Sequence, residues 1–548
     1  MNEDKIDMDL LEHIVMYIHE TQDPGAILVF VPGMGEIDNL SKRLVSQRAL
    51  QGHVVVPLHS SISPKDQKNA FKIHPNGIRK IVISTNIAET SVTIEDIVYV
   101  VDTGKHKERR HDASRSMSML VEDMISVANA NQRKGRAGRV REGVCYSLYT
   151  KACYEERMKK YQTPEIMRVP LEEMILQIHH LNLSNTADEF LAKVLQPPQK
   201  KSVIGAISNL VHVGALTKQE DLTSLGSQLA QLPVDVNVGK ILIMGSLFQC
   251  LSPVLSIAAC LSHKSPFTAS QDKEEIRAMA APFLARDKKC ISSEQQSDHL
   301  ILAAALQGWI DAKSSGGISA AKKYAKKYSL SVQNIDIIMD MRDQFATMLE
   351  NVGVAQKGNT LASSLAWYDA DSCPQNTNKE SPSIVKAVLV ASLYPKIAVV
   401  DDFVPGSIPT WHDGTGPVAI HPTSLISNLT GGSLQRSFIV YSEKMKTTKV
   451  FLRDCTVASP LSILLFGGQI HVDHRTSTAV VDGWIRIRIA GRCAAILLLL
   501  REKLEEFLQN TVERTGSAMR GEDKNKRILL KTVSELFEQE QAMLSWNA

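Results

Sequence analysis

A chain of 548 residues with 44% hydrophobic content is long enough for roughly three to four domains of about 150 residues, each with its own core. The formal net charge of +3 excludes a global positive field, so any nucleic-acid affinity has to come from local clusters of Lys and Arg. The eight cysteines form no CxxC pair and no zinc-type cluster, and the most apolar run, Ala494 to Leu500, is too short to span a membrane. Reduced thiols, no bound metal and a soluble intracellular protein without a membrane segment are expected.

From Pro24 to Tyr149, apolar strand-like runs alternate with amphipathic helical stretches, which predicts an α/β doubly wound parallel sheet. The runs are Ala26–Val31, His53–Leu58, Ile81–Ser84 and Ile97–Val101, with Val144–Tyr149 as a last strand. Each ends at polar or Gly-containing residues, where such sheets place ligands. After Lys151 the spacing becomes helical, and the segment from Ile204 through Gly214 to Leu222 reads as a helical module with a β-wing. A mainly helical block follows to about Asn351, punctuated by Pro253, Pro266 and Pro282. Asp369 to Ser383 reads as an exposed loop. Phe438–Tyr441, Lys449–Leu452 and Trp484–Ile489 alternate at period two and predict a small β-barrel. Arg492 to about Gln509 reads as an amphipathic helix, followed by a charged tail that is helical or frayed.

Two segments carry most of the chemistry. Ser84-Thr85-Asn86-Ile87-Ala88-Glu89-Thr90-Ser91-Val92-Thr93-Ile94 begins at a strand's carboxyl end, where short hydroxyl and amide side chains can bind backbone phosphates without reading bases. An ordinary polar loop with a Thr cap has the same local look. In Gln132-Arg133-Lys134-Gly135-Arg136-Ala137-Gly138-Arg139, Arg136 and Arg139 are three apart. On the first turns of a helix they would meet one anion, while Gly135 and Gly138 admit a second surface. Arginines offered across a domain interface can neutralise a transferring γ-phosphoryl group, and a nearby Gln can orient the attacking water. An isolated RxGR would equally suit a solvated basic helix start.

As complete strings these segments resemble motifs V and VI of DEAH/RHA-type ATP-dependent RNA helicases, and the resemblance runs from roughly Asp7 to Leu508. Phe30–Ile37 resembles motif IV and its RNA-hooking loop, and His59-Ser60 resembles motif IVa. Gly104–Ser126, with Lys105, Lys107, Arg109, Arg110 and Arg115, resembles the strand-separating β-hairpin. Thr163–Glu172 is similar to the entry of a winged-helix domain, and Leu222–Asp235, with Gly239-Lys240, Cys250–Pro253 and Lys264–Phe267, to a ratchet-like helical domain. Ala419–Ser424 and Leu464–Gly468 are similar to an OB-fold, a class that binds single strands. Ser297–Leu300, Trp309 and Asp482–Trp484 favour the branch resembling the helicase that works with the small ribosomal subunit.

The resemblance implies a second RecA-like lobe over 1–150, a winged helix over 151–218, a ratchet-like domain over 219–350, an OB-fold over 351–510 and a helical charged tail over 511–548. It assigns Gln132, Arg136 and Arg139 to catalysis. Phe71 (stacked on adenine), Thr93, Asp96 and Gly135 fall to the nucleotide, and Gly33, His59, Ser60, Thr85 and Asn86 to RNA. For Phe71, a core position on a helix would be the bland equivalent. The implied cofactor is ATP with Mg²⁺, yet the sequence holds neither a GxxxxGK[ST] phosphate loop nor a DExH quartet. Those elements are expected on a first RecA-like lobe upstream of Met1. The expected partners are single-stranded RNA, that lobe, and the small ribosomal subunit or a protein activator; the expected location is cytoplasmic, with nucleus and organelle open. A non-catalytic truncated RNA- or ribosome-binding protein is the alternative, and DNA is a further substrate that backbone-reading motifs admit.

Overall fold

The computed structural model describes residues 5–59, 67–75, 77–90, 94–112, 117–138, 142–268, 296–357, 366–402, 407–428, 437–446, 449–513 and 524–546. The chain divides into two compact units, Met1–Arg110 with Met119–Val169, and His111–Ser118 with Pro170–Ala548.

The first unit is built on β1 (Ala26–Phe30), β2 (Val54–Leu58), β3 (Lys80–Ser84), β4 (Ile97–Asp102) and, after the longer strands β5 (Lys105–Asp112) and β6 (Met117–Met124), β7 (Val144–Ser147). The five short strands form one parallel sheet in the order β2-β3-β1-β4-β7. β1 is buried throughout because both its faces are covered, and its side chains divide by parity. Ile27 and Val29 join Leu11, Val15 and Ile18 of the helix Met8–Thr21 and Ile37, Leu40 and Leu44 of the helix Met34–Ser46. Ala26, Leu28 and Phe30 face the opposite side, with Ala70, Ala88, Ile94 and Ala137. The helix Met8–Thr21 starts where Asp7 accepts from the Asp9 and Leu10 amides at 3.1 and 3.0 Å, and Arg79 holds its end by donating to the Ile18 and Gln22 carbonyls at 2.9 and 2.8 Å.

In the second unit, the helix Lys200–Val213 stops at Gly214, whose φ of +84° is the left-handed cap that glycine adopts without strain. The wing beyond it is reduced to a single bridge between Leu216 and Leu222. The helices Val236–Leu247 and Leu251–Ser262 are apolar and buried on nearly every side, so Pro253 sits inside the first turn of the second and does not separate two elements. β8 (Ile397–Asp402), β9 (Thr410–His412), β10 (Pro417–Ile420), β11 (Phe438–Lys446) and β12 (Val450–Val457) close into a five-stranded barrel. Trp411, Ile439, Tyr441, Leu452 and Cys455 are among the residues that fill it.

Two expectations need correction. The run Trp484–Ile489 contributes β15 (Ile485–Arg488) to a separate antiparallel sheet with β13 (Ile470–Asp473) and β14 (Thr478–Val481), because alternation specifies a two-faced strand and not the sheet it joins. The segment expected as an exposed loop is anchored inward at several residues, although Asp371, Ser372, Pro374, Thr377 and Glu380 stay exposed. Asp369, Cys373 and Asn376 are buried; Arg342 donates to Asp369 Oδ1 at 2.6 Å, and Asn376 accepts from the Ser252 amide at 2.9 Å. Its polar residues satisfy buried groups, which composition alone does not distinguish from solvation. The helix Pro382–Leu393 also starts inside that range. Of the two states expected for the tail, its described part is helical: beyond the helix Gly491–Glu513, the helix Lys524–Trp546 buries Val533 and Phe537, and Phe537 stacks on Phe466 at 6.4 Å. Seven cysteines are free thiols among the described residues, five of them buried, and no described helix is long and apolar enough to cross a membrane.

His299 ties the helix Asp298–Lys327 to the barrel. One ring nitrogen lies 2.7 Å from Thr456 Oγ1 and the other 2.8 Å from Ser442 Oγ, and the residue is fully buried. Burial pushes its pKa down to about 4. The unfolded chain, at an ordinary value of about 6.5, therefore binds the proton first, and stability falls as pH drops from about 6.5 to about 4, by about 3 kcal/mol in all. Thermal unfolding of the intact chain should lose this acid sensitivity in His299→Gln relative to the parent. Parallel pH profiles for the two proteins would contradict a neutral, buried imidazole.

Candidate functional site

Because the five strands are parallel, their carboxyl ends lie along one edge of the sheet and their amino ends along the other. This sorts the residues picked out from the sequence. Gly33 follows β1, His59 follows β2, and Thr85 and Asn86 follow β3, so these share the carboxyl edge with Asp102, the last residue of β4. Phe71 and Asp96 belong to the other edge, beside the start of β3 and before β4.

At the carboxyl edge, Gly33 caps the helix Met34–Ser46. A Cβ there would lie 2.8 Å from Lys107 Nζ, which is ion-paired to Glu36 at 3.0 Å, so a larger residue would push the end of that lysine aside. His59 is half-buried, Thr85 buried and Asn86 exposed. Such hydroxyl, amide and backbone groups suit an anionic backbone better than a base edge. β5 and β6 are hydrogen-bonded neighbours, as expected for the hairpin. Two of its basic residues are balanced locally: Lys105 pairs with Glu122 at 3.2 Å, and Arg110 with Glu108 at 2.7 Å and with Asp123.

The helix Val127–Lys134, capped by Ser126, covers the sheet face lined by Phe30 and Ala88. It ends at Gly135, so Arg136 lies in the turn after a helix and not on the first turns of one. The glycine at Gly135 and the following Gly138 interrupt the helical register. Arg133 is wholly buried. It donates to Glu89 Oε2 at 3.0 Å, to Asp102 Oδ1 at 2.8 Å and to the Lys105 carbonyl at 3.2 Å, and its guanidinium lies 4.8 Å from the centre of the Phe30 ring. Burial works against its charge, but Asp102 and Glu89 outweigh burial and raise its pKa above the ordinary arginine value. Asn129 donates to the second oxygen of Glu89, and Arg136 to the Glu89 backbone carbonyl. One residue of the segment Ser84–Ile94 thus holds three residues of the segment Val127–Gly138. Gln132 and Gly135 are exposed, and a Cβ on Gly138 would meet nothing within 4 Å, which leaves this surface open to a second body.

At the amino edge, Phe71 ends a short 3₁₀ turn and is 43% exposed, which excludes the core position that was its bland alternative. An open ring of this kind fits a stacked base. Asp96 is ion-paired to the buried Lys80 at 2.8 Å. Ser60, Thr93 and Arg139 lie outside the described residues.

Spacing did not reveal Glu89, Asp102, Asn129, Arg133 or Lys80. The available signals were a charged residue closing the apolar run Ile97–Val101, and Arg133 three residues after Ala130, on the same helix face.

Family models match in the order these elements occur: helicase conserved C-terminal domain over 7–141, helicase associated domain, winged-helix, over 206–234, helicase associated domain, ratchet-like, over 235–302, and oligonucleotide/oligosaccharide-binding OB-fold over 385–470. The matched relatives are DExH-box helicases. It is 41% identical over 529 residues to the chloroplastic DExH-box ATP-dependent RNA helicase DExH4 of Arabidopsis thaliana, covering 93% of this chain and 37% of that protein. With human ATP-dependent DNA/RNA helicase DHX36 the identity is 39%, covering 94% and 49%, and with human ATP-dependent RNA helicase DHX29 it is 35%, covering 98% and 39%. The chain therefore spans half or less of the length of the curated relatives it matches, and identities so close together single out no branch.

Proposed function

We propose that the chain supplies the second motor lobe and the accessory RNA-binding domains of an ATP-dependent RNA helicase. The observation that carries this reading is the junction at Glu89, which joins the strand-end segment suited to a phosphodiester backbone to the turn bearing Arg136. In this reading Gly33, His59, Ser60, Thr85 and Asn86 hold the RNA backbone, and Phe71, Thr93, Asp96 and Gly135 border the nucleotide. Arg136 and Arg139 stabilise charge on the transferring phosphoryl group, and Gln132 orients the water. ATP with Mg²⁺ supplies the free energy for closing and reopening the two lobes. In this reading the ligands for the metal lie on the first lobe.

The second reading, a binding protein that does not hydrolyse ATP, is favoured by the lack of a phosphate loop and a DExH quartet in the sequence. One comparison separates the two. Joined to a first lobe, the chain should hydrolyse ATP in an RNA-stimulated manner; alone it should bind single-stranded RNA with an affinity that falls as salt rises, and turn over no ATP. RNA binding without turnover in the two-lobe protein would sink the motor reading. Duplex DNA and RNA substrates in the same assay decide the nucleic acid, and crosslinking in cells decides between ribosomal and other RNA.

A further inference from the structure

Lys80 is a lysine where a lysine is costly. Its side chain is 1% exposed, at the first residue of β3, and an ammonium out of water is tolerated only when it is hydrogen-bonded and paired with an opposite charge. Both hold here: Nζ donates to the Ala70 carbonyl at 2.7 Å and the Lys72 carbonyl at 2.9 Å, and its charge is ion-paired with Asp96, 2.8 Å from Oδ1. The two carbonyls belong to the residues on either side of Phe71. Ala70 is buried in the sheet core, so the turn is fastened from within and by the ammonium, and the Phe71 ring is left standing out at 43% exposure. A four-residue 3₁₀ turn has weak hydrogen bonds of its own and would not by itself fix an exposed ring.

We propose that Lys80 is a positioning residue for the nucleotide base: it clamps the backbone on both sides of Phe71 and presents the ring preorganised for stacking, with Asp96 anchoring the clamp. The proposal rests on the assignment of Phe71 to adenine made above. It also changes the part played by Asp96, whose carboxylate acts through Lys80. A ring already held in place has less freedom to lose when a base stacks on it, so the clamp contributes to affinity and not to the chemical step.

The test uses the two-lobe protein with RNA present. Lys80→Met should raise KM for ATP about tenfold, as expected for a lost base stack, with kcat held. The inhibition constant of ADP should rise in parallel while that of inorganic triphosphate, which has no base, stays put. Phe71→Ala should give the same pattern, and the double variant should be no worse than either single one. Asp96→Asn, a milder change, should move KM in the same direction and serves if Lys80→Met does not fold. If Phe71→Ala leaves KM unchanged, the adenine assignment falls and the clamp with it. If Phe71→Ala raises KM but neither Lys80→Met nor Asp96→Asn does, or if triphosphate inhibition weakens along with ADP, the clamp alone is overturned.

Discussion

Arg133→Met is expected to strip about 3–5 kcal/mol of local stability from the first unit, the usual loss when one partner of a buried ion pair is removed. The guanidinium is wholly buried between Glu89 and Asp102, both also buried, so the substitution leaves two carboxylates out of water with their cation gone. Against a typical total of about 5–15 kcal/mol, that is enough to open the lobe while the rest of the chain stays folded. Hydrogen exchange of the β1 and β4 amides in the intact chain is the measurement, with the helices Val236–Leu247 and Leu251–Ser262 as internal reference. Adding Glu89→Gln and Asp102→Asn should recover a good part of the loss by discharging the stranded partners. Unchanged exchange in Arg133→Met would show that the charges find water, and the network would lose its structural standing.

That network marks where the sequence was legible and where it was not. The strands of the first unit could be read because both faces of a parallel sheet are buried, so Ala26–Phe30 and Ile97–Val101 are continuous apolar runs. The strand-end positions of Gly33, His59, Thr85 and Asn86 followed from the same runs. Arg133 and Lys80 were passed over because a buried cation is decided by partners far away in sequence: Glu89 and Asp102 for one, Ala70, Lys72 and Asp96 for the other. Local spacing carries no record of such pairs. The segment Asp369–Ser383 failed for a related reason, since Asn376 and Asp369 have the composition of a loop but serve Ser252 and Arg342 in the interior. Alternation in Ile485–Arg488 announced a strand correctly and said nothing of which sheet would hold it.

Arg136→Ala is expected to lower kcat for RNA-stimulated ATP hydrolysis in the two-lobe protein by about 10³–10⁵, the range for loss of an arginine that stabilises a transferring phosphoryl group. RNA affinity should change far less than kcat, because Gly33, His59, Thr85 and Asn86 occupy the strand-end edge and Glu89, next to them, stays tied to Asn129 and Arg133. In the structure Arg136 is 7% exposed and its guanidinium donates to the Glu89 carbonyl, so the proposed role requires the guanidinium to turn from that acceptor to a phosphate oxygen. A carbonyl meets one donor of a guanidinium fork, whereas a phosphate can take two in parallel and carries full charge. Arg136→Lys discriminates further: a point charge retains Coulomb attraction but forfeits the fork, and kcat should stay near that of Arg136→Ala. Arg139→Ala, assayed beside it, tests the second finger. Turnover within a factor of a few of the parent in Arg136→Ala would remove this residue from the phosphate and leave it as a prop for Glu89.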